Sequence, residues 1–226
     1  MDLDLYGKIE SILPFDEAID YLHQSYIELI LKYKKQKLLD IGCGNGAMLE
    51  RLQSLNIESK GIDLSSTTIE IAKQKGLNAH NIDVCDEKDS FDVAIAVFDV
   101  INYIEENQLK DFFSCVENRL EDNGIFILDA NTLFGFENVA QGTLIVEESP
   151  YFLAIDAIFE KKILNTKIDL FTNLKDENYK RETANIIQYF HSIKTIKKST
   201  SLKLIDTINL NMYSSSSDKT LLIFKK

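Results

Sequence analysis

The run Leu38-Leu39-Asp40-Ile41-Gly42-Cys43-Gly44-Asn45-Gly46 constrains the fold more tightly than any other stretch. A short aliphatic strand ends in an acid and then carries glycine at every second position. Helix-spaced Ala47-Met48-Leu49-Glu50-Arg51-Leu52 follows directly. A strand that turns sharply into a helix through glycines brings bare backbone close to a ligand, because no Cβ intervenes and the first helical N–H groups point outward. The pattern therefore predicts a nucleotide-type ligand site. Asp40 lies under that loop, where a carboxylate repels a pyrophosphate and suits a cationic amine, so the ligand is expected to carry positive charge there.

The surrounding chain alternates. The expected elements are strand Lys37 to Ile41, helix Gly46 to Leu55, strand Ser59 to Asp63, helix Ser66 to Lys75 and strand Asn78 to Ile82. Strand Phe91 to Phe98, helix Glu106 to Leu120 and strand Gly124 to Asp129 follow. Near-continuous aliphatic strands separated by helices predict a parallel sheet covered on both faces, with ligands at the carboxyl ends of the strands. Upstream, Ile19, Leu22, Tyr26, Leu29, Ile30 and Tyr33 recur at helical spacing with Asp16 as a cap, so 1–36 reads as a helical cap. Beyond Asp129, β-rich stretches at Gly142 to Val146, Tyr151 to Phe159, Ile163 to Thr172 and Tyr179 to Phe190 predict an antiparallel excursion, within 133–200, over the ligand edge. Leu202 to Leu210 and Thr220 to Phe224 read as a terminal β-hairpin, within 201–226, joined by a serine-rich turn. The whole of 1–226 is expected to be one domain, with 37–132 as its ligand-binding core.

With 226 residues and 45% hydrophobic content, such a chain buries a core without disulfides or metal. Cys43, Cys85 and Cys115 are odd in number, far apart and free of CxxC spacing. Neither a disulfide framework nor a zinc site is expected, and a reducing cytoplasm fits best. The start Met1-Asp2-Leu3-Asp4 lacks a basic n-region, and no stretch approaches the ~20 apolar residues of a membrane span, so neither secretion nor membrane insertion is expected. A net charge of -11, from 25 basic and 36 acidic residues, repels phosphate polymers, which argues against nucleic acid as a partner. His23, His80 and His191 stand apart from one another and from other ligand-type residues, so no metal is expected.

Two further acids end consecutive strands. Asp63 lies twenty-one positions beyond Gly42, close to the ~20 expected of an acid that accepts from ribose hydroxyls. Asp83, in Asn81-Ile82-Asp83-Val84, is placed to accept from an exocyclic adenine amine, with Val84 against the ring. Gly42, Gly44 and Ala47 also satisfy the looser dinucleotide pattern of an NAD(P)-dependent oxidoreductase. Asp40 beneath a phosphate site, Asp83 at the adenine position and the terminal hairpin count against that alternative.

On Asp40 to Gly46, with Asp63 and Asp83, the chain resembles the class I S-adenosylmethionine-dependent methyltransferases. The resemblance implies a Rossmann-like three-layer α/β sandwich: a mostly parallel seven-stranded sheet with a terminal antiparallel hairpin and an added antiparallel β excursion. It also implies S-adenosylmethionine as cofactor, held by Asp40, Gly42, Gly44, Asn45, Gly46, Asp63, Leu64, Asp83, Val84 and Phe98. With only Pro14 and Pro150, the chain lacks the proline motifs of nucleobase-methylating enzymes. Phe91 to Ile104, Ile127 to Thr132 and the excursion around Tyr179-Lys180-Arg181-Glu182 are instead similar to the small-molecule branch that includes sugar N-methyltransferases. The resemblance is specific from Leu38 to Thr132 and follows only the layout from Gly135 to Lys226.

A sulfonium already carries a good leaving group, so the site needs mainly an in-line nucleophile and the exclusion of water. The resemblance therefore implies methyl transfer to an oxygen or nitrogen of a small-molecule acceptor, for example a nucleotide-linked sugar, governed by positioning. The catalytic candidates are Asp99, as orienter or weak base, and Tyr103. Many relatives carry a histidine at the latter position, whereas a tyrosine with an intrinsic pKa of about 10 needs strong perturbation to act as a base. Asn102, Asn131 and Tyr6 are candidate acceptor contacts, Tyr6 in an N-terminal lid. Phe134, Phe136, Tyr151, Phe152 and Phe159 are further pocket candidates, one or two of them expected to touch ligand. A cofactor-binding module without chemistry is the other alternative.

Overall fold

The computed structural model describes residues 3–9, 12–34, 37–174 and 178–226. Parts of the expected helical cap (1, 2, 10, 11, 35 and 36) lie outside the described residues. Two helices precede the sheet, α1 (Leu3–Ile9) and α2 (Asp16–Lys32). Asp16 is the first helical residue of α2 rather than its cap: Phe15 holds the cap position without a side-chain hydrogen bond, and Asp16 instead places negative charge in the first turn.

The core then alternates as β1 (Lys37–Ile41), α3 (Ala47–Ser54), β2 (Glu58–Ile62), α4 (Ser66–Gln74), β3 (Ala79–His80), β4 (Phe91–Ala96), a 3-10 turn (Val100–Tyr103), α5 (Leu109–Arg119) and β5 (Leu120–Asn131). A short α6 (Leu133–Gly135) leads through Phe136–Ala140 into β6 (Gly142–Glu148), β7 (Tyr151–Glu160), β8 (Ile163–Asn173) and β9 (Tyr179–Tyr189). α7 (Ile193–Lys198), β10 (Lys203–Leu210) and β11 (Lys219–Lys225) close the chain. Seven strands form one sheet in the order β10-β11-β5-β4-β1-β2-β3. β1 to β5 run parallel within it, while β11 is antiparallel to both β5 and β10. The other four strands form a separate antiparallel meander, β6-β7-β8-β9. This is the mixed architecture the sequence implies. Only β3 is markedly shorter than expected, so Asp83 lies in the loop beyond it rather than at a strand end.

Continuous aliphatic strands arise because alternate residues feed two cores. Leu38, Val93, Ile95, Ile125, Ile127, Leu221 and Ile223 pack on one face, against Leu22, Tyr26, Leu29 and Ile30 of α2. Leu39, Ala94, Ala96, Phe126, Leu128, Leu222 and Phe224 pack on the other, against Leu109, Phe113 and Val116 of α5. Among the described residues, no helix is long and apolar enough to cross a membrane.

The fold corrects one sequence expectation. Cys85, just beyond Asp83 and Val84, and Cys115 of α5 form a disulfide with Cα atoms 4.8 Å apart. They stand thirty positions apart in sequence with β4 and its turn between them, so their meeting is a product of the layered fold and not of local spacing. Cys43 is free and buried. Alkylation of the denatured, unreduced protein is expected to modify one thiol, Cys43, and alkylation after reduction all three; three thiols in the unreduced sample would remove the bond.

Candidate active site

At the carboxyl end of β1 the chain turns under β2, with the Gly42 and Cys43 amides donating to Ile62 O at 2.8 and 3.1 Å. Gly42, Gly44 and Gly46 all have positive φ, at 74°, 53° and 86°. The requirement is steric at two of them. A Cβ on Gly42 would come within 2.7 Å of Val100 Cγ2, and one on Gly46 within 2.3 Å of Leu77 Cδ1. Gly44 differs: nothing stands within 4 Å of its would-be Cβ, so bare backbone faces open space there. This is the cradle that the glycine spacing predicts.

Asp40 lies beneath it and is 1% exposed, with no hydrogen-bond partner for either carboxylate oxygen among the described residues. Burial first, and the nearby Asp63 carboxylate second, push its pKa up to about 7. An unpaired buried carboxylate is costly unless a cation meets it. The orphaned oxygens, opening on the same cavity as Gly44, therefore fit the ammonium of a bound amino acid moiety. Asp63 directly follows β2, with Oδ2 accepting from Gly44 N at 2.9 Å and Oδ1 from Ser65 N at 2.7 Å. Each oxygen keeps a lone pair for a ligand hydroxyl. Burial raises its pKa, and those backbone bonds oppose the rise. Leu64, apolar yet 60% exposed, lines the cavity beside it. Asp83 Oδ1 accepts from Cys85 N at 2.8 Å, and Val84 is buried; both line the same cavity, as do Asn45 and Phe98.

At the end of β4 two successive non-glycine residues, Phe98 (φ 61°) and Asp99 (φ 51°), take left-handed backbone. Such residues cost of order 1–3 kcal/mol each and persist only where surroundings over-determine them. Asp129 of β5, fully buried, is what determines them. Its Oδ1 accepts from Phe98 N at 2.8 Å and lies 2.7 Å from the Tyr26 hydroxyl. Its Oδ2 accepts from Asp99 N at 2.8 Å and from Lys219 Nζ at 2.7 Å. Lys219 also donates to Asp99 Oδ1 at 2.5 Å, while Asn131 Nδ2 and Gln188 Nε2 donate to Asp99 Oδ2 at 3.0 and 2.6 Å. The paired carboxylates raise the pKa of the buried ammonium against the desolvation that lowers it. Asp99 is thus an oriented, charge-paired carboxylate with limited capacity left to accept.

The expected acceptor contacts divide. Asn131, Tyr103 and Tyr6 line the cavity with Asp99. Asn102 does not suit an acceptor contact: it is 0% exposed, with Nδ2 donating to Tyr189 O at 2.8 Å and Oδ1 accepting from Asn131 N at 3.0 Å. It ties the Val100–Tyr103 turn to both sheets. The five aromatic candidates at Phe134, Phe136, Tyr151, Phe152 and Phe159 also miss the cavity. Phe136, just after α6, and Phe159, near the end of β7, stack at 5.0 Å in a satellite core with Ala157 and Leu164. Phe15, Phe112 and Tyr213 line it instead. The missed residues that matter most are Asp129, Lys219 and Gln188. Only the first two left a trace in sequence, as charges bounding aliphatic runs.

The cavity, about 1360 Å³, runs from the glycine cradle to the inner face of the β6–β9 meander. α1 borders both ends. Ser65 donates to Asp4 at 2.6 Å on the core side, and Lys8 pairs with Glu182 of β9 at 2.7 Å on the other. Gly7 lies so near α4 that a Cβ would meet Thr68 Cγ2 at 2.5 Å.

A protein-family model described as "Methyltransferase domain" matches residues 38–124, the segment from the glycine cradle to the start of the buried part of β5. Residues 38–124 match a methyltransferase domain. The chain's fold is that of the S-adenosylmethionine-dependent class. A relative from Geobacillus sp. (strain WCH70), named "Putative methyltransferase GWCH70_2453", is 24% identical over 192 residues, covering 78% of this chain and 76% of its own. The crystal structure of an S-adenosylmethionine-dependent methyltransferase from Clostridium acetobutylicum superposes with a TM-score of 0.80 at 21% identity, over 98% of this chain and 96% of that one. The sugar N-methyltransferase KedS8 from Streptoalloteichus superposes at 0.73 with 13% identity, over 100% and 94%.

Two outcomes follow from this geometry. Lys219→Met leaves two carboxylates facing each other around a buried gap, and is expected to cost about 3–5 kcal/mol in urea unfolding, the usual penalty for breaking a buried pair. The raised pKa of Asp40 favours the folded, ligand-free protein most below the unfolded value near 4, and that contribution is lost as pH rises through about 7. A ligand ammonium needs the ionised form, so affinity for S-adenosylhomocysteine is expected to climb between pH 6 and 8, by up to about tenfold per unit below 7. Calorimetry should find that climb abolished in Asp40→Asn.

Proposed function

We propose that this protein transfers a methyl group from S-adenosylmethionine to an oxygen or nitrogen of a small-molecule acceptor, chiefly by holding the nucleophile in line. The observation that carries the reading is the double-ended cavity. The partnerless Asp40 carboxylate and open Gly44 backbone lie at one end, and the anchored Asp99 faces a separate β-sheet wall at the other. Its volume, about 1360 Å³, exceeds the ~300–1,000 Å³ typical of one small ligand, which leaves room for two.

The bound sulfonium supplies an electrophilic methyl with a neutral thioether as leaving group. The chain's own side chains bind and orient. Asp40 meets the ligand ammonium, Asp63 accepts from the ribose hydroxyls, Asp83 and Val84 receive the adenine, and Leu64 covers it. Asp99, fixed by Lys219, Asn131 and Gln188, offers its remaining lone pairs to the acceptor, and Asn131 stands beside it. This use of Asp99 favours orientation over proton abstraction, since its two oxygens already accept three hydrogen bonds that fix the carboxylate in place. Tyr103 and Tyr6 close the cavity from the turn and from α1.

The whole of 1–226 is read as one catalytic unit acting without nucleic acid. Asp40 speaks against the hydride-transferring alternative, because a diphosphate in the cradle would lie over a second negative charge. The test is a labelled-methyl transfer screen on a metabolite extract, with mass spectrometry of the product. A labelled small molecule is expected, whereas S-adenosylhomocysteine binding without any transfer would leave a module that only binds the cofactor. Asp63→Ala is expected to weaken that binding by about 1 kcal/mol or more, the worth of a charge-assisted pair of hydrogen bonds, read by calorimetry.

A further inference from the structure

The acceptor end of the cavity is walled by one face of the β6–β9 meander. Its contributions are aliphatic: Leu144, Ile155, Leu164, Ile168 and Ile186, with Ala157 between them. The polar side chains that the meander adds are Thr143, which already donates to Asp156, Thr166, and Gln188, which donates to Asp99. A polyhydroxylated ligand would find few partners for its hydroxyls on such a wall, and burying them unpaired is unfavourable.

Charge restricts the ligand further. Eight aspartates line the whole cavity: Asp16, Asp20, Asp40, Asp63, Asp83, Asp99, Asp111 and Asp218. Against them stand Arg51, which is paired with Asp20, and Lys219, which is enclosed by Asp99 and Asp129. His23, also at the lining, is held neutral at pH 7 by burial and by Arg51. Phosphate recognition draws on cationic side chains or on arrays of outward N–H groups. Here the cations are already neutralised, and the N–H array belongs to the glycine cradle, over Asp40. The field inside the cavity is negative and concentrates cations.

We propose that the acceptor is a compact, largely apolar amine bearing neither phosphate nor carboxylate, and not a nucleoside diphosphate sugar. The inference rests on the methyl-transfer reading and narrows its acceptor. The amine enters as an ammonium drawn by the field and loses one proton to bulk water. Its lone pair then bonds to the methyl carbon as the carbon–sulfur bond breaks and its electron pair goes to sulfur. The methylated product leaves as an ammonium, so no dedicated base is consumed.

The experiment uses the protein saturated with S-adenosylhomocysteine. Calorimetry compares phenylalkylamines of two to five methylenes with the matching phenylalkanoic acids and with UDP-glucose. Labelled-methyl transfer from S-adenosylmethionine is run on the same probes. The amines are expected to bind at least about tenfold more tightly than their acids, the order of one charge contact in a partly buried site, and to be methylated. Thr166→Lys, which places a cation on the wall, is expected to erase or reverse that preference while S-adenosylhomocysteine binding confirms an intact fold. Amines no better than their acids, including no binding by either, or methylation of UDP-glucose in their place, overturns the proposal. Failure of S-adenosylhomocysteine itself to bind would instead overturn the methyl-transfer reading beneath it.

Discussion

The buried carboxylate of Asp129 is the interaction on which the site depends. Its two oxygens accept the backbone N–H groups of Phe98 and Asp99 and so hold both residues in left-handed conformation. That turn sends the chain from β4 into the Val100–Tyr103 segment and presents the Asp99 side chain to the cavity. A buried acid accepting backbone bonds alone would still be an uncompensated charge, and Lys219 supplies the counterion from the strand that β5 pairs with. The residue that shapes the turn and the residue that neutralises it thus come from adjacent strands in exact register, Lys219 opposite Asn131 and Leu221 opposite Asp129.

Two different electrostatic solutions coexist in one cavity. At the acceptor end the negative charge is satisfied internally, by Lys219, Asn131 and Gln188 around Asp99. At the cradle end Asp40 is left unsatisfied, and its carboxyl is held partly protonated near neutral pH. The first arrangement fixes geometry before any ligand arrives. The second leaves interaction energy available to the ligand itself. A site that must hold two molecules in a fixed mutual orientation gains from both, since rigidity at the reacting end limits misplacement and affinity at the far end supplies the binding.

What was legible in the sequence was local. Gly42, Gly44 and Gly46 declare the cradle because all three take positive φ and close packing at Gly42 and Gly46 leaves few other residues possible. Asp40 and Asp63 are placed correctly because each sits at a fixed offset from an aliphatic strand. The antiparallel meander announces itself by β-rich stretches with little helical pattern between them. What was not legible depends on non-local approach. Cys85 and Cys115 meet because a loop and α5 share one layer. Asn102 looks like a ligand contact in sequence and is in fact a buried tie between two sheets. The aliphatic wall could not be separated from ordinary core, since Leu164 and Phe159 lie opposite one another on one face of the meander and only the tertiary fold says how far along that face the cavity reaches.

The division of each central strand between two cores also fixes how the strands align. Polarity cannot set the phase of β4, where Val93, Ala94, Ile95 and Ala96 are all buried. Size can: the branched pair faces α2, and the two alanines face the side crowded by Phe113, Phe126 and Phe224. A slip of one residue would drive valine and isoleucine into the aromatic layer and leave voids beneath the helix opposite. Steric bulk rather than hydropathy is therefore the code that holds Phe98 and Asp99 at the height where the ligand passes.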